Sequence, residues 1–364
     1  MDLLINRLTV SILVAGCLVA WFLQLIAHSP ISPTPLILQP SYKREGHLAK
    51  NNALQAVEKL GEGFLDRPED TAVDSRGLIY TATQDGWVKR MHLNGSWENW
   101  KMVGLASIGL TVSKSGDVLV CTPGLGLLKV SDDQISLLAS EINGIPIRVA
   151  DAVVEASDGS VYFSDASTKF EIDKWVLDLL EAKPYGRLLK YDPITRKTTV
   201  LLDGLWFANG VALSPREDYI VICESWKFRC LKHWIKGEKL GSTEILIENL
   251  PGAPDNIHIA ADGRSYWIAL VGIRSRTLEF VYRYGILKHV FATYPNLLEW
   301  IGFEKSRAMV VKVGEEGEPI ISLEDPNGKV MSFVTSANEV GNYLYLGSLN
   351  ANFLGRLSAP KVGD

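Results

Sequence analysis

The chain has 364 residues, of which 47% are hydrophobic, and it carries a formal net charge of −5 at pH 7. This composition is that of a folded protein with one large core or two smaller ones, and it argues against a largely disordered chain. Lysine and arginine are scattered singly and form no basic stripe, so the sequence also argues against nucleic acid as a partner.

The first element is an uncharged segment near the N-terminus. Leu8 to Ala27 contains 20 residues without a charge, which is about the length of a helix that crosses a hydrocarbon core. Arg7 precedes the segment and no small-x-small cleavage site follows it, so an uncleaved signal anchor is favoured over a removed signal peptide. The sequence therefore predicts a short cytoplasmic N-terminus (residues 1–7) and a transmembrane helix (residues 8–27).

This topology predicts that the rest of the chain lies in the secretory pathway, in the lumen of the endoplasmic reticulum or vacuole or outside the cell. There, Asn94-Gly-Ser96 would be an acceptable site for N-glycosylation. Cys17 lies in the apolar segment, which leaves Cys121, Cys223 and Cys230, an odd number that cannot pair completely. Cys223 and Cys230 could form a disulfide bond between adjacent strands, or each could be a small buried hydrophobic residue.

Residues 28–53 contain a cluster of prolines at positions 30, 33, 35 and 40. Such a segment cannot continue a helix and is predicted to form an extended stalk. The folded domain is then expected to span residues 54–358, followed by a tail of residues 359–364.

From residue 71 onward the sequence repeats one pattern six times: an apolar alternating run, a polar turn and a second strand rich in Val, Ile and Tyr. The turns fall at Gly77, Gly116, Gly159, Asp218, Gly263 and Gly341. A strand repeat of about 40 to 50 residues is typical of a β-propeller, because each four-stranded sheet must stack on its neighbours to bury both faces. The sequence predicts an all-β fold, a six-bladed propeller.

Two intervals between repeats are longer than the others and have helical spacing of their apolar residues. These are Thr168 to Glu181 and Arg276 to Trp300. Both are predicted to be helical insertions. They could form a lid over one end of the central channel, or they could cover an exposed blade edge.

Alignment of the repeats by their turns places polar residues just before several inner strands. They are Glu69, Asp70, Asp151, Asn209, Asp255 and Asn256. If the first strand of each blade lines the axis, these side chains converge and offer the hard oxygen ligands that calcium requires. Taken alone, Asn209-Gly210 would be a common hairpin turn and the carboxylates would be solvated loop residues. Their shared position in the repeats is what favours a metal site.

Other residues carry weaker signals. His258 would point to the same side of its strand as Asn256, but a single histidine in a strand is usually structural. Trp206 and Phe207 could wall a pocket for a small-molecule ligand in the channel, or they could pack between blades. The sequence has no Ser-His-Asp order, glycine-rich phosphate loop or HExxH motif.

Four segments together resemble the strictosidine synthase-like proteins, a family described mostly from plants and akin to animal adipocyte plasma membrane-associated protein. They are Tyr162-Phe-Ser-Asp-Ala-Ser-Thr168, Gly186-Arg-Leu-Leu-Lys-Tyr-Asp-Pro193, Phe207-Ala-Asn-Gly-Val-Ala-Leu-Ser214 and Tyr343-Leu-Tyr-Leu-Gly-Ser-Leu349. The resemblance covers about residues 55 to 357. It implies a six-bladed propeller of the calcium-dependent phosphotriesterase type, shared more distantly with paraoxonases and gluconolactonases.

The resemblance also implies a set of metal ligands. A central metal would be held by Glu69, Asn209, Asp255 and Asn256, and Asp70 and Asp151 resemble ligands of a second, structural calcium. Ala150 stands where paraoxonase-like sequences have an asparagine, so one neutral ligand is missing.

The two bases known from these relatives are replaced. Thr335 stands where strictosidine synthases carry a glutamate, and Ile108 stands where paraoxonases carry a histidine. A threonine cannot act as a base near neutral pH, so strictosidine synthesis is not expected. The leading hypothesis is metal-assisted hydrolysis of an ester or lactone. The alternatives are a non-catalytic binding or scaffold propeller of the secretory pathway and, last, an enzyme that condenses an amine with an aldehyde.

Overall fold

The computed structural model describes residues 2–297 and 307–360. Within these residues the strands form six four-stranded antiparallel sheets and one two-stranded ribbon. The first strands of successive sheets contact one another in a closed ring. This arrangement confirms the predicted six-bladed propeller.

The first three blades follow one another along the chain. Blade 1 contains β2 (Pro68–Val73), β3 (Ile79–Thr83), β4 (Trp87–Met91) and β5 (Trp97–Met102). Blade 2 contains β6 (Leu110–Val112), β7 (Val118–Thr122), β8 (Gly126–Val130) and β9 (Ile135–Ala139), and the ribbon β10 (Glu141–Ile142) and β11 (Ile145–Pro146) follows it. Blade 3 contains β12 (Ala150–Glu155), β13 (Val161–Asp165), β14 (Gly186–Asp192) and β15 (Lys197–Leu205).

The remaining three blades complete the ring. Blade 4 contains β16 (Ala208–Leu213), β17 (Tyr219–Glu224), β18 (Arg229–Trp234) and β19 (Thr243–Ile247). Blade 5 contains β20 (Gly252–Ile259), β21 (Ser265–Ile273), β22 (Ala308–Gly314) and β23 (Pro319–Asp325). Blade 6 contains β24 (Val334–Val340), β25 (Tyr343–Ser348), β26 (Leu354–Ser358) and β1 (Glu58–Leu60). Because β1 pairs with β26, the two ends of the propeller sequence close the same blade.

The core lies between blades rather than within them. One cluster joins Tyr80 and Val88 of blade 1 to Val118 and Val120 of blade 2, and all four side chains are almost fully buried. Each buried side chain of this size contributes about 1.5 to 3 kcal/mol of transfer free energy. The alternating apolar residues that predicted the strands are therefore the residues that hold the blades together.

The antiparallel order sorts the connections to two ends of the propeller. Turns between the first and second strands and between the third and fourth strands lie at one end, which we call the far end. Gly77 and Gly116 form two of these turns with φ of +86°, a conformation that favours glycine. Connections between the second and third strands and between blades lie at the opposite end, the mouth end.

Both helical insertions are at the mouth end, and both predictions of helix are confirmed. The blade 3 insertion contains α2 (Trp175–Glu181), and the blade 5 insertion contains α3 (Arg276–Arg283) and α4 (Gly285–Thr293). The predicted second insertion ran to Trp300, which lies outside the described residues. Ser275 caps α3, because its hydroxyl accepts a hydrogen bond from the Leu278 N–H.

The N-terminal segment forms helix α1 (Asp2–His28). Its part from Thr9 to His28 is apolar and long enough, at 20 residues, to cross a membrane. The proline-rich segment that follows is extended, but it is not a free stalk. Ile31 and Leu36 are buried against the propeller, and the Thr34 N–H donates a hydrogen bond to the Glu181 carbonyl at the end of α2.

Cys223 and Cys230 face each other across β17 and β18 and form a disulfide bond, with a Cα–Cα distance of 4.0 Å. Of the two possibilities that the sequence left open, the structure shows the disulfide bond. Cys121 is buried and has a free thiol.

Candidate functional site

The predicted site residues lie inside the first strands of the blades, at places where strand pairing is irregular. Pairing shifts between Pro68 and Thr71 in β2, between Ala208 and Val211 in β16 and between Pro254 and Ile257 in β20. A similar shift follows Ala150 in β12. Such irregularities re-aim side chains. The alternative interpretation of Asn209-Gly210 as a hairpin turn is wrong, because both residues belong to β16.

Three glycines let neighbouring blades approach closely at this level. A Cβ on Gly109 would lie 2.0 Å from the Asp151 carbonyl oxygen, and a Cβ on Gly210 would lie 2.3 Å from that of Asp255. The same atom on Gly347 would lie 2.1 Å from the Glu69 carbonyl oxygen. Any other residue would push the strands apart. Gly210 is therefore a spacer between blades, a role that the sequence analysis missed.

A cavity of about 420 Å³ opens at the mouth end of the channel. Its lining includes the predicted site residues Glu69, Asp151, Asn209 and Asp255, so the structure brings together side chains from blades 1, 3, 4 and 5. All four residues are almost completely buried. The other polar residues of the lining are Arg67, Gln84, Asp173 and Ser225. Asn256 and Asp70 do not line the cavity.

Hydrogen bonds order this cluster but leave two oxygens without partners. Asn256 Nδ2 donates to Glu69 Oε1 at 2.8 Å, and the Asn209 side chain forms a hydrogen bond with Asp255. Among the described residues, neither Glu69 Oε2 nor Asn209 Oδ1 has a hydrogen-bond partner, although both atoms are buried. A buried acceptor without a partner costs about 1 to 3 kcal/mol.

The carboxyl groups of the cluster lie close together and are shielded from solvent. Burial, followed by the charge of Asp255, raises the pKa of Glu69 well above its usual value. Burial likewise raises the pKa of Asp151 well above the usual range, and it raises the pKa of Asp255 to about 8. Because burial and the neighbouring negative charges both disfavour ionisation, the cluster favours protonated carboxyls, and a bound cation would stabilise the ionised forms.

Asp70 and His258 form a separate pair below the cavity. His258 Nε2 and Asp70 Oδ1 are 2.9 Å apart, and the Leu110 N–H donates to Asp70 Oδ2 at 3.2 Å. Asp70 therefore joins blade 1 to blades 2 and 5. His258 lies on the wall of a second cavity of about 360 Å³ toward the far end, which fits the structural role expected for it.

Helix α2 reaches over the cavity and supplies part of its aromatic wall. Trp175 and Trp226 stack with their ring centroids 6.0 Å apart, and the Phe207 ring lies 4.4 Å from Trp226. All three line the cavity. Of the two residues predicted to wall a pocket, Phe207 does so, whereas Trp206 instead lies under the Lys227 ammonium group at 4.2 Å. The blade 3 insertion is therefore a lid.

A buried aspartate fixes this wall. Asp178 of α2 accepts hydrogen bonds from Trp226 Nε1 at 2.9 Å and from the Ser167 hydroxyl at 2.5 Å. Burial raises the pKa of Asp178 to about 7. Sequence reasoning missed Asp178 and Trp226 as site residues, because their contact joins positions 48 residues apart.

The donor chemistry fits calcium only if amide oxygens take part. Within residues 2–297 and 307–360, no three His, Cys, Asp or Glu side chains are grouped to hold a metal. Glu69, Asp255 and Asn209 nevertheless offer two carboxylates and an amide oxygen to one cavity, and calcium accepts such mixed oxygen ligands. Ala150 contributes no ligand. The assignment of these residues to a metal stays a prediction.

Neither position at which relatives carry a base can provide one here. Ile108 lines the cavity with an apolar side chain. Thr335 is fully buried, and its hydroxyl donates a hydrogen bond to the Glu69 carbonyl at 2.6 Å. Thr335 therefore supports the backbone beside Glu69.

Solved structures of similar fold are distant in sequence. A gluconolactonase from Xanthomonas campestris has a TM-score of 0.60 with 14% identity, and the match covers 92% of this chain and 99% of that one. Regucalcin from Agrobacterium tumefaciens, described as a calcium-binding protein, has a TM-score of 0.57 with 13% identity over 90% and 97% of the two chains. At these identities the likeness shows the fold alone.

Family models and curated relatives match at higher similarity. The model for strictosidine synthase matches residues 151–238, and the model for the strictosidine synthase-like N-terminal region matches residues 46–91. Strictosidine synthase-like 4 from Arabidopsis thaliana is 36% identical over 86% of this chain and 85% of its own length. Adipocyte plasma membrane-associated protein from Rattus norvegicus is 31% identical over 93% and 95% of the two chains. The chain belongs to the strictosidine synthase-like family.

Proposed function

We propose that this protein is a membrane-anchored hydrolase of esters or lactones that uses a calcium ion held at the floor of the cavity. The ion would be held by Glu69, Asn209 and Asp255. Asn256 would orient the Glu69 carboxylate through its hydrogen bond to Oε1.

One observation carries the proposal. Two buried oxygens from different blades, Glu69 Oε2 and Asn209 Oδ1, lack hydrogen-bond partners among the described residues, and they line the same cavity as two further buried carboxyls. Native proteins rarely leave buried acceptors unsatisfied. A divalent cation would satisfy both oxygens and stabilise the ionised forms of Glu69 and Asp255, whose pKa values are raised by burial and by neighbouring negative charges.

The cavity is suited to hydrolysis of an uncharged, partly apolar substrate. A bound calcium ion supplies polarisation of a carbonyl oxygen. Phe207, Trp226 and Trp175 form an apolar wall that would bind the rest of the substrate and exclude bulk water. Lactones are the first substrates to test, since a protein described as a gluconolactonase shares this fold.

Thermal unfolding in the presence of calcium tests the metal site. Ligand that binds only the native state stabilises it by RT ln(1 + [L]/Kd), about 2.7 kcal/mol at 100 times Kd. We expect millimolar calcium to raise the Tm and a chelator to reverse the rise. An unchanged Tm across the titration would contradict a metal at this site.

A second candidate, a non-catalytic binding propeller, is favoured by the loss of both bases at Ile108 and Thr335. An assay of a panel of lactones and aryl esters, with calcium present, distinguishes the two candidate functions. Turnover above the rate of an inactive control favours the hydrolase. Saturable binding of a panel compound without turnover favours the binding propeller.

We also propose that the propeller lies in the lumen of the secretory pathway. The disulfide bond between Cys223 and Cys230 fits an oxidising compartment. Asn94 is exposed on a far-end turn, where an N-glycan could be attached. Digestion of the cell-derived protein with an N-glycosidase should lower its apparent mass, and Asn94→Gln should remove that shift. A protein without a glycan and with Cys223 and Cys230 reduced would contradict the lumenal location.

A further inference from the structure

The segment between the membrane helix and the propeller is short and firmly attached. The Thr34 N–H donates to the Glu181 carbonyl at 3.1 Å, and the Thr34 hydroxyl donates to the Ala182 carbonyl at 2.7 Å. Lys288 of α4 donates from Nζ to the Thr34 carbonyl at 2.7 Å. Thr34 is thus bound to both helical insertions.

This attachment sets an upper limit on the distance between the membrane and the lid. Thr34 lies six residues after His28, the last residue of α1. Six residues span at most about 20 Å when fully extended. In addition, α1 contacts α4 directly. The mouth end of the propeller is therefore held within a short distance of the end of α1.

The blade 5 insertion presents an apolar surface on this same end. Phe280, Tyr284, Ile286 and Tyr294 are exposed by 57%, 44%, 36% and 44% of their surface. The rings of Phe280 and Tyr284 are in contact, with centroids 4.9 Å apart. Aromatic side chains of this kind are enriched where proteins meet the membrane interface.

Basic residues on α3 and exposed leucines across the mouth end add to this surface. Arg276 and Arg283 are exposed on α3 beside the aromatic residues, and a helix with apolar and basic exposed residues is typical of binding in the membrane interface. On the mouth end of blade 2, Leu105 is exposed by 95% and Leu125 by 46%. Ile108, three residues after Leu105, lines the cavity.

Exposed apolar residues are arranged differently at the far end than at the mouth end. Its exposed apolar residues, Leu93 and Ile194 among them, lie on turns of separate blades. Asn94, the glycosylation candidate, also lies there, and an attached glycan would keep that end in water. The apolar surface that is continuous with the membrane helix belongs to the mouth end.

We propose that the mouth end docks on the bilayer in which α1 is anchored, through the α3–α4 surface, and that the cavity takes a lipophilic ligand directly from the membrane. The ligand class deepens the proposed function and rests on the proposed anchor. The apolar cavity wall of Phe207, Trp226 and Trp175 opens toward the lipid and suits such a ligand. Docking itself requires no hydrolysis.

Fluorescence quenching by brominated lipid tests the docking. The full chain carrying Cys17→Ser is placed at one copy per nanodisc of phosphatidylcholine, with or without brominated acyl chains. One cysteine is introduced, at Phe280→Cys or Leu105→Cys, and labelled with a fluorophore, and Ile194→Cys at the far end is the matched control. The parent, which keeps the buried thiol of Cys121, must take up no label under the same conditions. Each variant must first show the thermal melt of its parent, and Tyr284→Cys replaces Phe280→Cys if that variant does not.

Interfacial helices insert their apolar faces about 5 to 10 Å into the membrane. We therefore expect brominated lipid to reduce the fluorescence of the two mouth-end labels by roughly twofold, and to leave the label at position 194 unchanged. Equal quenching at the two ends, or no quenching at the mouth end, would overturn the proposal. Fluorescence changes that do not depend on bromine, and that grow with the number of copies per disc, would show contact with a second copy instead and would also overturn it. Because no substrate is present, a failure here is distinct from a failure of the hydrolase assay.

Discussion

Glu69 has a buried carboxyl group whose Oε2 atom has no hydrogen-bond partner among the described residues. Its backbone carbonyl is fixed by Thr335 and by the close approach of Gly347. The backbone at Glu69 is therefore held between blades 1 and 6, and burial and the charge of Asp255 disfavour ionisation of its carboxyl group. This is a strained arrangement for an isolated protein and a suitable one for a cation site.

The Glu69→Gln substitution separates stability from calcium binding. Glutamine keeps the oxygen that accepts from Asn256 and is neutral without taking up a proton, so we expect the Tm in chelator to rise by about 2 °C or more. The calcium-induced rise in Tm should disappear. Asp173→Asn, which removes an exposed carboxyl from the rim of the same cavity, is the matched control and should retain the response. A full calcium response in Glu69→Gln would exclude Glu69 as a ligand.

Asp178 makes stability depend on pH. Its native pKa of about 7 lies above the unfolded value of about 3.9, so the native state binds the extra proton between these values. This contribution to stability is fully present below the unfolded pKa and is lost as the pH rises through about 7. The loss is of the order of 1 kcal/mol per pH unit within that interval.

Asp178→Asn removes this titration while keeping an oxygen for Trp226 Nε1. We expect the Tm of the variant, relative to the wild-type protein, to increase as the pH rises from 5 to 7. Thermal melts in a series of buffers measure the difference, and Asp173→Asn again controls for the loss of a carboxyl from this insertion. A difference that stays constant with pH would show that Asp178 does not titrate in this range.

The sequence predicts some of the site residues but not others. Glu69, Asn209 and Asp255 could be found because the repeats place them at equivalent positions. Asp178 and Trp226 could not, because one belongs to the blade 3 insertion and the other to blade 4, and only the folded structure brings them together. Outside a repeat there is no equivalent position to compare.

At the scale of elements, inner strands meet at glycines. Gly210→Ala would place a Cβ 2.3 Å from the Asp255 carbonyl oxygen, so we expect a loss of about 1 to 3 kcal/mol in the free energy of unfolding. Gly285→Ala is the matched control, because a Cβ there meets no atom within 4 Å and alanine favours helix α4. Denaturant unfolding measures both. If Gly210→Ala and Gly285→Ala had the same free energy of unfolding, the close approach at Gly210 would not contribute to stability.

The blades were predictable as elements, but their irregularities were not. Alternating residues and turn glycines define each strand pair in the sequence. The site residues were expected just before the inner strands, and they lie inside them because pairing shifts at these points. The sequence also did not predict that residues 29–36 attach to the lid. It depends largely on backbone groups such as the Thr34 and Leu36 N–H, which any residue except proline provides.

At the scale of the whole molecule, the N-terminal apolar helix, the lid and the cavity form one connected unit. The chain passes from α1 through the segment bound to α2 and α4, and the first propeller strand then closes blade 6. The end of α1 and the opening of the cavity are thus at the same end of the propeller. A central consequence is that a ligand reaching the cavity passes the lid, whose aromatic wall stands beside the carboxylates.

The central claim is that calcium held by Glu69 and Asn209 supports hydrolysis in this cavity. Its most direct measurement is kcat/KM for lactones and aryl esters with calcium, after chelation and after calcium is restored, in the wild-type protein and in Asn209→Ala and Asp173→Asn. We predict turnover that is lost with chelator, restored by calcium, abolished in Asn209→Ala and retained in Asp173→Asn. Turnover that is indifferent to calcium and to Asn209, or no turnover of any ester or lactone, would contradict the account.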